Sequence, residues 1–196
     1  MDKSNKIPDF SAMGKDLIKN ASRYAGSESV KYFKESFVNQ GFNDTSFVAW
    51  PKTTNPMAGK RTLYKSGTLM QSIRKTEGTI TRIVVESDTD YSEIHNNGGT
   101  ITVTPQMKKF FWAKFYEFSG NIKLNKEGTA ARLSKSNNII SVKAMFFRRM
   151  ALMKVGAKIK IPKRQFMGNS QTMMTQFDKW WLGQIDISFK QHLNKE

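Results

Sequence analysis

Three short blocks constrain this chain more than any other feature, because each holds residues that permit only a few backbone paths. The first is Leu63-Tyr64-Lys65-Ser66-Gly67-Thr68-Leu69-Met70-Gln71-Ser72-Ile73. Here Ser66 is a candidate N-cap, since its hydroxyl can accept from a free first-turn N–H. Gly67 follows it into a short helix whose buried side is Leu69, Met70 and Ile73. The second is Tyr91-Ser92-Glu93-Ile94-His95-Asn96-Asn97-Gly98-Gly99, which ends where positive φ is cheap. The third is Ile161-Pro162-Lys163-Arg164-Gln165-Phe166-Met167-Gly168. Pro162 fixes φ and stops a strand. Arg164 offers a fork suited to a carboxylate on this chain or a neighbouring one, and Phe166 offers an apolar anchor beneath it.

Between these blocks the apolar spacing sets the elements. After a polar arm at residues 1–9, Asp9 or Ser11 caps a long helix that runs to Asn39 through Met13, Leu17, Ile18, Ala21, Tyr24, Val30, Phe33 and Phe37. Gly26-Ser27 is a candidate kink, and Gly41 a candidate left-handed cap. Residues 43–62 are rich in Asn, Thr, Pro, Gly and Lys and read as a loop. Alternation predicts strands at 79–86, 100–104, 139–142 and 158–161. Helices are predicted over 106–118, with Met107, Phe110, Phe111, Phe115 and Phe118 inward, over 144–155, and over 171–193 with Met173, Met174, Phe177, Trp181, Ile185 and Phe189 on one side. The segment 91–95 is extended or helical, and 120–136 is a loop or hairpin tip. The fold class that follows is α+β: a long N-terminal helix, a small, mostly antiparallel sheet with packed helices, and a C-terminal helix. At 196 residues the chain suits one domain, from 10 to 196.

Charge is the strongest compositional fact. Thirty-two Lys and Arg against sixteen Asp and Glu give a formal net charge of +16. Between Glu127 and Asp178 there is no acid but there are ten bases, including Lys143, Arg148, Arg149, Lys154, Lys158, Lys160, Lys163 and Arg164. Such a stretch is either a solvated surface or a face toward DNA or an acidic partner. Cys is absent, so neither a disulfide framework nor a thiolate metal site is available. The first residues lack the apolar centre of a signal peptide, and no run approaches the roughly 18 apolar residues of a membrane span. Synthesis in the cytoplasm and no membrane partner are expected.

Catalytic chemistry finds little to stand on. His95 lies near Asp88, Asp90 and Glu93, but no nucleophile motif and no second ligand at metal spacing accompany it. A structural role is expected, as a hydrogen bond that pins the Gly98-Gly99 turn. Gly98-Gly99 is not a phosphate loop, and Gly59-Lys60 lacks the rest of a Walker motif. Aromatics interleaved with bases at 108–116 and 143–164 suit stacking on single-stranded bases, yet their helical spacing favours core. No catalytic, cofactor-binding or metal residue is therefore expected.

In this order, the three blocks resemble the tail-completion and virion-morphogenesis proteins of tailed phages, the group that includes the small neck proteins of Mu and P2. That pattern runs L-x-x-(S/T)-G-x-L-x-x-S-I, then Y-A-x-I-H-x-x-G-G, then I-P-x-R-x-F-L-G. Ser36-Phe37-Val38-Asn39-Gln40-Gly41-Phe42 and Trp50 also match its early helix end and Trp. The likeness spans about 33–177 and is thinnest over an insert near 106–155; Ser92 and Met167 depart from it. The resemblance implies a non-enzymatic structural protein of the virion, at the neck or tail end, that completes the tail or joins it to the head. It implies several copies in a ring or collar, beside head-connector or tail-terminator proteins, around a channel that genomic DNA crosses. Gly67, Leu69, Ile73, Tyr91, His95, Gly98, Gly99, Pro162, Arg164 and Phe166 would be its structural and interaction residues. The rival reading is a stand-alone, sequence-independent nucleic-acid-binding protein.

Overall fold

In the computed structural model, which describes residues 9–79, 82–128, 131–132 and 134–193, the elements follow the sequence pattern in type more than in boundary. In order they are α1 (Phe10–Asn39), β1 (Gly41–Asn43), β2 (Phe47–Ala49), α2 (Thr68–Gln71), β3 (Ile73–Gly78), β4 (Ile83–Ser87), α3 (Ser92–Asn97), β5 (Gly99–Thr102), α4 (Pro105–Gly120), α5 (Lys135–Ala151), β6 (Lys158–Ile161) and α6 (Gln171–Leu193). The class is α+β. Instead of one small sheet there are three antiparallel pairs, β1–β2, β3–β4 and β5–β6. The segment 10–196, expected as one domain, gathers into two compact units. Unit 1 comprises residues 1–50, 66–92 and 164–196, and unit 2 comprises 51–65 and 93–163.

Unit 1 is built on α1. The Asp9 carboxylate accepts from the N–H groups of Ser11 and Ala12, capping the helix as its sequence predicts. There is no break at Gly26-Ser27. Gly26 serves instead for close approach, because a Cβ there would lie 2.6 Å from the Lys75 side chain. The left-handed cap is Gln40 (φ 58°), not Gly41, and its side-chain amide donates to the Phe37 carbonyl. Gly41 is needed one residue later, where a Cβ would sit 2.6 Å from the Val48 carbonyl oxygen across the β1–β2 pair. The expected loop at 43–62 thus contains a strand, because Phe47–Ala49 folds back on Gly41–Asn43.

The first sequence block is also re-cut. Gly67 (φ 82°), not Ser66, occupies the N-cap of α2, and Ile73 leaves the helix to begin β3 while staying buried, as Leu69 is. The strand expected at 79–86 is β4, displaced to 83–87; residues 80 and 81 lie outside the described ones. The core gathers Met13, Leu17, Phe33, Phe37, Phe42, Trp50, Leu69, Ile73 and Phe166. At its centre the Phe37 ring lies 5.2 Å from Phe166 and 5.3 Å from Trp50, and the Trp50 indole N–H donates to the Gln165 carbonyl at 2.7 Å. The buried Ser170 hydroxyl donates to the Asn43 carbonyl and accepts from Met173 N–H, while Asp44 accepts from Gln171 N–H. The β1–β2 turn thereby caps α6.

Unit 2 centres on a helical hairpin, α4 and α5. The strand expected at 139–142 is instead the second turn of α5, so that 135–151 is one helix with Ser134 as N-cap. Its inward side is Ala144, Phe147 and Ala151. Phe147 meets Phe110, Phe111 and Phe118 of α4, the last stacked at 5.7 Å. No α4 residue is fully buried, which corrects the expected inward face: Phe110 in particular is 52% exposed. Asn137 holds the connection between the helices. Its amide donates to the Lys123 and Arg132 carbonyls and accepts from Lys123 N–H.

Two phenylalanines separate core from partial cover. Phe166→Ala should cost about 3–5 kcal/mol, the usual range for emptying a core aromatic site. Phe110→Ala should cost well under half of that, and thermal melting of the two variants measures the gap.

Candidate interaction surface

Sequence reasoning singled out block residues and bases, and the fold treats the two groups differently. The blocks become internal supports. The second and third meet in unit 2 through the β5–β6 ladder, in which Gly99 pairs with Ile161, Ile101 with Ile159 and Thr102 with Lys158. Gly98 adopts φ 72°, and a Cβ on it would stand 2.8 Å from the Lys163 backbone nitrogen. Both the left-handed backbone and the close approach thus require glycine there. Pro162 follows directly on β6, as its missing N–H predicts. His95 lies in α3, half-buried, with its Nδ1 closed to solvent, and Tyr91 is exposed in unit 1.

Arg164 and Phe166 belong to unit 1 and are buried, at 6% and 0% exposure. Burial pushes the Arg164 guanidinium below its ordinary value by desolvation. Of the acids at 86–93, Asp88 pairs with Arg74 at 2.9 Å, and Glu86 accepts from the Thr76 hydroxyl. Among the described residues no cluster of three His, Cys, Asp or Glu is placed to hold a metal ion, and no helix is long and apolar enough to cross a membrane.

The bases become surface, and almost all of their excess lies in one place. Unit 2 carries eighteen Lys and Arg against the three carboxylates Glu93, Glu117 and Glu127, a formal +15 of the chain's +16. Unit 1 is left close to neutral. Arg148 and Arg149 stand in the last turn of α5, where cations also favour the negative end of the helix dipole. Lys143 lies over the Phe118 ring at 5.7 Å, and Lys158 donates to the Thr102 hydroxyl at 2.6 Å. Lys154, Lys160 and Lys163 are exposed.

Sequence reasoning missed a second apolar face on α5. Val142, Met145, Phe146 and Leu152 recur at helical spacing on the side opposite Ala144, Phe147 and Ala151, and they line a groove of about 440 Å³ with Pro56 and the two arginines. The signal was present as a 3.6-residue apolar period from 139 to 152, interrupted only by Arg149 and hidden once 139–142 was read as a strand. Comparison of the chain with family models, curated proteins and solved structures gives no significant match.

Two contrasts test these placements. Gly98→Ala must strain the backbone and displace Lys163, whereas Gly128→Ala, with φ 69° but open space around it, carries only the left-handed cost of roughly 1–2 kcal/mol. The first should lower the melting temperature more than the second. Arg164→Ala leaves buried groups without the bonds a guanidinium makes, at about 1–3 kcal/mol or more. Lys158→Ala, at an exposed site, should change the melting temperature little; equal effects would make Arg164 an ordinary surface charge.

Proposed function

We propose that this chain is a structural component of a tailed-phage neck that completes the tail or joins it to the head as several copies in a ring or collar. The observation that carries the reading is the separation of charge. One unit concentrates a field of +15, and the other is close to neutral and holds the larger apolar core. A subunit of a ring needs a part that packs and a part that faces a polyanion or an acidic neighbour, and this division suits that need. The ordered blocks support it too, since the residues they share with the neck proteins are here backbone turns and core anchors: Gly67, Gly98, Leu69, Ile73 and Phe166. Arg164 is buried too.

A second reading draws on the same field: a stand-alone protein that binds nucleic acid through phosphates, with no base readout. The two are distinguished by where the protein is found. Purified particles should contain it in a fixed number of copies, and host cells infected without it should accumulate heads and tails that do not join. If it is free in infected cells and absent from particles, and the monomer binds arbitrary duplexes with a steep loss of affinity in salt, the second reading replaces the first.

A further inference from the structure

We infer that the outward face of α5 is a docking groove for an acidic amphipathic helix of a neighbouring protein. The inference deepens the neck reading above and rests on it, since it names the chemistry of a partner. It starts from a helix that is apolar on two opposite sides. A helix of that kind is normally covered on both. In this chain one side is covered, by the aromatics of α4. On the other, Val142, Met145 and Leu152 are 52%, 55% and 59% exposed, although they stand at the i, i+3 and i+10 positions of one stripe. Pro56 and Thr54 wall the groove opposite them.

Charge decides the occupant. Arg149 lies within the stripe and Arg148 at its border, and among the described residues neither forms an ion pair. Of the three carboxylates in unit 2, Glu117 is held by Lys114 at 2.6 Å and Glu127 accepts from Asn125. The groove therefore asks for apolar side chains down its centre and carboxylates at its edge. A DNA backbone supplies the anions but nothing to cover Val142, Met145 and Leu152. The same groove of a second copy supplies the apolar side chains but brings the same positive field. An acidic helix laid along α5 supplies both, in the helix-in-groove mode. The lining residues 142–152 span about 15 Å at the helical rise, which matches roughly three turns of a partner. Met145 adds a side chain that adapts to what it meets.

The test uses the intact protein and a synthetic helical peptide with leucines at i, i+4, i+7 and i+11 and glutamates beside them. Its controls are a scrambled peptide of equal composition and an arbitrary DNA duplex. Fluorescence anisotropy should show saturable binding of the ordered peptide, weakened about tenfold or more (some 1.4 kcal/mol) by scrambling, by Val142→Asp and by Arg149→Glu. Both substitutions are at exposed positions, and an unchanged melting curve shows that the fold persists. Duplex binding should survive Val142→Asp. The inference is overturned if the scrambled peptide binds equally well, or if Val142→Asp leaves peptide binding intact. It is also overturned if Val142→Asp abolishes duplex binding or dissolves a self-associated species in sedimentation, because DNA or a second copy is then the occupant. A protein absent from particles whose groove still selects the ordered peptide would sink the neck reading alone; the reverse result would sink only the groove.

Discussion

The burial of Phe166 against Phe37 is the contact on which the rest of unit 1 depends. It joins the last turns of α1 to a segment far along the chain. Trp50 closes the cluster from a third direction, with its indole N–H satisfied by the Gln165 carbonyl. Aromatic groups of this size contribute both buried area and a preferred ring geometry, so they fix position as well as adding stability. Once they are in place, the Asn43 carbonyl and the Asp44 carboxylate lie where the first turn of α6 has free N–H groups and the Ser170 hydroxyl. The capping of the C-terminal helix and the closed aromatic cluster thus share the same turn of chain. Arg164, two residues before Phe166, is buried with it.

Unit 2 is held differently. Among the described residues its fully buried apolar side chains are few, namely Val103, Ala144, Phe147 and Ala151, and the aromatics around Phe147 stay partly exposed. Polar devices supply the order that a thin core does not. Asn137 ties the 123–132 connection to α5 by three hydrogen bonds, and the β5–β6 ladder fixes the two strands that flank the hairpin. A thin core under a field of +15 is a combination that self-repulsion opposes. An acidic partner along α5 would relieve both deficits, covering the apolar stripe and neutralising the arginines beside it.

Much of unit 1 was legible from one sequence, and one turn of unit 2. Asp9 as a cap, the α1 stripe through Phe33 and Phe37, the start of α6 at Gln171, and, in unit 2, Gly98 as a left-handed turn depend on local chemistry, which a sequence states directly. The misreadings share a cause. Gly41 read as a helix cap, yet Gln40 takes that role and Gly41 lies in β1, where the approach of Val48 leaves no room for a Cβ. Residues 47–49 read as loop but pair with 41–43, and Ile73 read as helix but opens β3. In each case a pairing partner elsewhere in the chain outweighed local preference. The α5 groove was lost for a simpler reason, since the three β-branched residues Ile139, Ile140 and Val142 satisfy a strand and a helix equally well until their continuation is considered.

What the sequence determined by itself is the class of the fold and the sign of the field: helical periods at both ends, short alternating runs between, and an acid-free stretch from 127 to 178. Those properties belong to spacing and composition, and no folding is needed to read them. What only the tertiary structure decided is which residues share a unit. Residues 51–65 and 93–163 come together with nearly all the excess charge, while Arg164 leaves its basic neighbours for the neutral unit and is buried there. Charge that is continuous along the chain is divided between units because the division follows which apolar side chains find each other, and Phe166, four residues past Pro162, finds Phe37.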